Sequence, residues 1–142
     1  MTRLVREAAE ADELAAARSL RRTVFCAEQG VDPAAETDGR DHEGRHFIVV
    51  EDDDVVATCR VLPGATARLS RMAVQADRRG HGIGGELLAH AEEQAGRAGS
   101  EAVALHSQDT VRGFYEHHGY TVTGEPFREQ GIDHLPMAKR LA

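Results

Sequence analysis

The run Arg78-Arg79-Gly80-His81-Gly82-Ile83-Gly84-Gly85 packs four glycines into six positions. It follows a strand-like stretch, Ala67 to Val74, and opens a helix-like pattern. Glycine lacks Cβ, so such a backbone can curl and turn several N–H groups toward one anion. A helix start adds unpaired donors and a partial positive charge. With two arginines at its entrance, the run has the chemistry of a pyrophosphate cradle. Proton chemistry could come from the carboxylates Glu28 and Asp41 and from the imidazoles His106 and His134.

Three ligand chemistries compete for these residues. Gly80, Gly82 and Gly85 satisfy a literal G-x-G-x-x-G. A dinucleotide fingerprint, however, follows the first strand of a βαβ unit, and an antiparallel meander is expected before this one. Glu101, near the distance of a ribose-binding acid, precedes a strand rather than ending one. A P-loop needs Lys-Ser or Lys-Thr, and neither pair occurs. The histidines His42-x-x-x-His46 and His117-His118 have no convincing ligand spacing, so no metal is expected. Cys26 and Cys59 are too few and too far apart for a disulfide scaffold, and both read as small buried hydrophobes.

The elements that must position these groups follow from periodicity. Leu4 to Glu7 predicts a short strand. Asp12 to Phe25 predicts a helix, with Leu14, Ala17, Leu20 and Val24 on one face and Arg18, Arg21 and Arg22 largely elsewhere. Asp32 to Arg45 reads as a long, irregular, acidic loop. His46–Val50 and Val55–Leu62 predict a hairpin, and Ala67–Val74 a third strand. Ile83, Leu87, Leu88, Ala91, Ala95 and Ala98 mark a helix over Gly82 to Ala98. Ala102–His106 predicts a strand, Asp109–His118 a helix, and strands beginning at Tyr120 and at Leu135 complete the chain. The expectation is α/β (α+β): one domain over 1–142, a mixed central sheet flanked by helices.

Composition bounds the function. The formal charge of −7 argues against a general nucleic-acid binder. No apolar run approaches the roughly 20 residues of a membrane span, and no apolar signal segment opens the sequence, so the expected location is the cytoplasm. Charge is unevenly placed. From Glu28 to Asp54 ten acids face two arginines, whereas from Val55 to Gly82 five arginines face Asp77 alone. One reading is solvated loops. The other is an anionic cofactor over the basic segment and a cationic acceptor near the acidic one.

Arg79-x-x-Gly82-x-Gly84, after Met72-Ala73-Val74 and before a helix, resembles the acyl-CoA-binding motif of the GNAT superfamily of N-acyltransferases. Gln108-Asp109, then Phe114-Tyr115-Glu116-x-x-Gly119-Tyr120, resembles that family's later segment, with Gln108 where many members have Asn. Phe25-Cys26-x-Glu28-Gln29-Gly30, Asp38-Gly39-x-Asp41, Thr58-x-Arg60 and Gly131-Ile132-x-His134 look like the ElaA/YjcF-type branch.

The resemblance implies the GNAT fold and transfer of acetyl from acetyl-CoA to a primary amine, by direct attack in a ternary complex. It implies coenzyme A contacts from Met72, Ala73, Val74, Arg79, Gly80, His81, Gly82, Ile83, Gly84, Gly85, Gln108 and Tyr115, with Tyr115 as general acid. Glu28 is a candidate base, and Glu28, Asp41, His106 and His134 are candidates for acceptor contact. The expected partner is a small-molecule or peptide amine, with no nucleic acid and no membrane. A homodimer is left open, as dimers are frequent in such folds. A non-catalytic acyl-CoA-binding regulatory module is the alternative.

Overall fold

The computed structural model describes residues 2–142. Strand β1 (Arg3–Glu7) leads to α1 (Ala11–Arg21), which continues as a π-helical segment, Arg22–Glu28. Gly30, at φ +74°, turns the chain out of it. Ala17, Leu20 and Val24 are buried on the face toward the sheet, with Leu14 packed beside them. Arg21 departs from expectation: it is only 2% exposed. Its partners explain this. Nε donates to Glu36 Oε1 at 2.6 Å and Nη1 to Asp41 Oδ1 at 2.9 Å. A buried guanidinium is tolerated when carboxylates satisfy it.

The acidic stretch is less irregular than its composition predicts. It holds α2 (Pro33–Glu36), whose start is capped by Asp32 accepting from the Ala34 N–H, and a 3-10 turn, Asp41–Glu43. Strands β2 (Arg45–Glu51), β3 (Asp54–Leu62) and β4 (Thr66–Val74) form the expected meander. Helix α3 (Ile83–Arg97), β5 (Ala102–Gln108), a 3-10 turn and α4 (Arg112–His117) follow. The chain ends with β6 (Thr121–Val122), β7 (Phe127–Glu129) and β8 (Ile132–Arg140). Strand β7 was not anticipated, because three residues are too few to show alternation. Gln130 and Gly131, at φ +53° and +73°, make the tight turn that folds it onto β8.

The eight strands form one sheet in the order β1-β2-β3-β4-β5-β8-β6, with β7 also on β8. Only β4 and β5 are parallel. Alternation along β2 sorts the core. Phe47 and Val49 face α3, whereas Ile48 and Val50 face α1. With both faces covered, β2 is apolar throughout its centre.

One irregularity parts the sheet at its parallel pair. β4 pairs with β5 only from Thr66 to Arg68, against Ala102 to Ala104. Arg71 then adopts φ +58°, and the register with β3 slips between Thr58 and Arg60. A non-glycine residue at positive φ costs of order 1 kcal/mol or more, so the surroundings must hold it. Arg71 is held by the Glu36 carbonyl, at 3.1 Å from Nη2, and by Asp38, at 3.2 Å. Beyond this point β4 stays with β3 and β5 with β8, so the two parallel strands part.

Candidate active site

A cleft of about 1410 Å³ occupies the gap between the parted strands. Its walls include Met72, Ala73 and Val74 of β4, His106 and Gln108 of β5, the glycine loop, Tyr115 of α4 and His134 of β8. Most of the residues singled out from the sequence therefore meet in one place. Three stand outside the lining: His81, Glu28 and Asp41.

The facing halves of β4 and β5 are not bonded to each other. Such edges offer backbone donors and acceptors to an extended ligand. At the far end of the cleft, Gly80 and Gly82 sit at φ +83° and +78°. A Cβ at either would meet nothing within 4 Å, so there the requirement is conformational. Gly84 and Gly85 have a different reason to be small. A Cβ would come within 3.3 Å of the Phe114 ring and 3.0 Å of His118, so both glycines let α3 lie close to α4. No side chain caps the N-terminus of α3. Its first amides are thus available to an anion.

The arginines at the loop are already engaged. Arg79 Nε donates to the Val74 carbonyl at 3.0 Å and Nη2 to Glu28 Oε1 at 2.8 Å. Arg78 lies 3.2 Å from Glu51, a carboxylate only 1% exposed that also binds Arg3 at 2.9 Å. Across the opening, Gln108 Nε2 donates to Gln29 Oε1 at 2.7 Å. The end of the first helix therefore bridges to the loop through Glu28 and to β5 through Gln29. The amide Gln108 does reach over the cleft, though it meets protein there.

Tyr115 is 6% exposed and packs edge-on against Phe114 and Tyr120. Burial, and then Cys59, push its phenol well above the ordinary value. It keeps its proton at neutral pH, so in proton transfer it stands as the acid and not as the base. Burial pushes the Cys59 thiol up to about 12, so it carries no thiolate to act as a nucleophile. Cys26 is only half-buried, contrary to expectation.

The candidate bases differ in their surroundings. His134 is 8% exposed, with Nδ1 2.8 Å from the Ile132 carbonyl. Nδ1 must donate in that contact, which leaves Nε2 as the acceptor. His106 lies against Arg68, and burial, followed by the Arg68 charge, lowers its pKa. Asp41 is bound by Arg21 at 2.9 Å and Arg60 at 3.0 Å. Burial opposes its ionisation, but the two guanidiniums prevail and its pKa is lowered. The acidic segment is thus no bare anionic surface. Glu36, Asp38 and Asp41 interlock with Arg21, Arg60 and Arg71. Arg68, Arg71 and Glu129 also line the cleft and were not singled out from the sequence. Glu129 sits on the unexpected β7, and no sequence signal marks the left-handed conformation of Arg71.

The chain matches the acetyltransferase (GNAT) domain family over residues 8–141. It is 32% identical to the uncharacterized N-acetyltransferase YjcF of Bacillus subtilis, over 90% of this chain and 93% of YjcF. A crystal structure from Lactobacillus plantarum superposes with a TM-score of 0.92 at 32% identity, covering 100% of both chains. Escherichia coli ElaA superposes with a TM-score of 0.84 at 26% identity, covering 97% of this chain and 98% of ElaA. Parted strands, a glycine loop opening α3 and a buried tyrosine in α4 thus occur on a fold and a sequence shared with proteins described as N-acetyltransferases, and the chain belongs to the GNAT family of acetyltransferases.

Proposed function

We propose that the chain works as a single domain over residues 1–142 and transfers acetyl from acetyl-CoA to a primary amine by direct attack in a ternary complex. The observation that carries this reading is the parting of β4 and β5 at Arg71, directly before the uncapped start of α3. The two features suit the two halves of one ligand. Strand edges suit an amide-containing pantetheine arm, and the amides from Gly80 to Gly85 suit a pyrophosphate.

Acetyl-CoA supplies the activated thioester. The chain's own residues do the rest. A backbone N–H of the Met72–Val74 stretch polarises the carbonyl. Tyr115, kept protonated by burial, gives its proton to the departing sulfur as the C–S bond breaks. A base takes a proton from the acceptor's ammonium form, which frees the lone pair that makes the N–C bond. His134 is the best supported of the four candidates, because it lines the cleft with Nδ1 engaged by the Ile132 carbonyl and Nε2 in no hydrogen bond, 3.9 Å from Glu129. Glu28 is neutralised by Arg79, and Asp41 by Arg21 and Arg60.

Calorimetric titration tests the cofactor half directly. Coenzyme A should bind the wild-type chain and fail to bind Gly82→Glu, which adds bulk and negative charge at the loop. Retained affinity in that variant overturns the cradle.

A further inference from the structure

Six arginines line the cleft. Five have carboxylate partners: Arg40 has Glu43, Arg60 and Arg71 share Asp38, Arg78 has Glu51 and Arg79 has Glu28. Arg68 is the sixth. Among the described residues no carboxylate pairs with it. Its Nη2 lies 2.9 Å from His106 Nε2 and 3.2 Å from Nδ1. That imidazole is held below its ordinary pKa by burial and by Arg68 itself. It is therefore neutral at pH 7 and compensates no charge. The ring is fixed in turn by Phe127, edge-on at 4.8 Å. The acid of this corner, Glu129, lies 3.9 Å from both His106 and His134 and is not paired with Arg68.

Position matters as much as charge. Arg68 is the last β4 residue paired with β5, and the cleft opens just past it. It is exposed, at the end opposite the glycine loop. The carboxylates that could have attracted a cationic acceptor, Glu36 and Asp38, are already bound by arginines. Glu129, half exposed and paired with no arginine of the cleft, is the carboxylate left there to meet an ammonium. An anionic group would meet an uncompensated guanidinium whose planar fork suits a carboxylate.

We infer that the acceptor is an amine that also carries a carboxylate, of the amino-acid class, and that Arg68 binds that carboxylate and sets the specificity. This inference rests on the acetyltransferase reading above. Its test uses amines that differ by one carboxylate: lysine and cadaverine, phenylalanine and phenethylamine, 6-aminohexanoate and pentylamine. Acetylation of each is followed in the wild type and in Arg68→Gln, with coenzyme A titrated into both proteins. In the best pair the carboxylated member should exceed its partner in kcat/KM by about tenfold or more, as expected for a charge-assisted contact. Arg68→Gln should collapse that ratio toward one while coenzyme A still binds. Equal or better acetylation of the uncarboxylated member in every pair overturns the inference, as does a ratio that survives in Arg68→Gln. Should no pair be acetylated, the same compounds are titrated into the coenzyme A-loaded protein. Failure of every carboxylated member to bind there overturns the acceptor assignment alone. Failure of coenzyme A itself to bind overturns the reading beneath it.

Discussion

Arg79 Nη2 donates to Glu28 Oε1 at 2.8 Å, tying the head of the glycine loop to the end of the first helix. An incoming pyrophosphate would compete with Glu28 for that guanidinium. Glu28→Gln should therefore tighten coenzyme A binding. The pair is substantially exposed, so the gain should not exceed about fivefold, in keeping with the ~1 kcal/mol ceiling of surface ion pairs. Titration at low and high salt checks it, with the difference shrinking as salt rises. Weaker binding in Glu28→Gln would mean that the carboxylate positions Arg79 instead.

Tyr115→Phe removes one hydroxyl from a side chain that is otherwise packed among aromatic rings. Turnover should fall by roughly 10²- to 10⁴-fold, the usual contribution of a general acid. Coenzyme A affinity should stay within about threefold, since no phosphate contact is lost. Single-turnover kinetics beside a binding titration separates the two. Because burial raises the phenol pKa, no loss of activity between pH 7 and about pH 9 should trace to this group in the wild type.

Arg21 sits at 2% exposure between Glu36 and Asp41, beside the Arg60 and Arg71 end of the cleft. Arg21→Ala leaves Glu36 buried without that partner. Such a break should cost about 3–5 kcal/mol of folding stability. Urea unfolding measures it. A loss below about 1 kcal/mol would show that water or Arg71 replaces the missing charge.

The same network predicts a response to acid. The Arg60 hydrogen bonds hold the Asp38 carboxyl well below the usual carboxylate range. A depressed folded-state pKa gives stability that is full above the unfolded value, near 3.9, and is lost as pH falls through the folded value. The wild type should therefore melt at progressively lower temperature as pH drops from about 5 toward 2. Asp38→Asn should start lower at pH 7 and show a shallower decline. Parallel curves would remove Asp38 from the acid response.

How much the sequence disclosed depended on the range of the interaction. The glycine loop and the Phe114-Tyr115-Glu116 helix were legible because their chemistry is local. Strands β2 to β4 were legible because runs of apolar residues were separated by Asp52-Asp53-Asp54 and Pro63-Gly64. Arg21 was misplaced because a periodic pattern scores arginine as wet, and its partners lie 15 and 20 residues downstream. The excess acid from Glu28 to Asp54 reads from sequence as unpaired for the same reason, since the arginines that bind Glu36, Asp38 and Asp41 come from other strands and from α1. Arg71's backbone kink, which opens the cleft, is set by tertiary contacts and leaves no mark in the sequence.

Amine-dependent release of thiol from acetyl-CoA, with the acetylated product identified by mass, tests the central claim most directly. The wild-type chain should release thiol in step with N-acetylated product for at least one amine of the paired series, and Gly82→Glu should release none. Tight coenzyme A binding without thiol release for any amine, small-molecule or peptide, would contradict the claim and leave a binding module in its place.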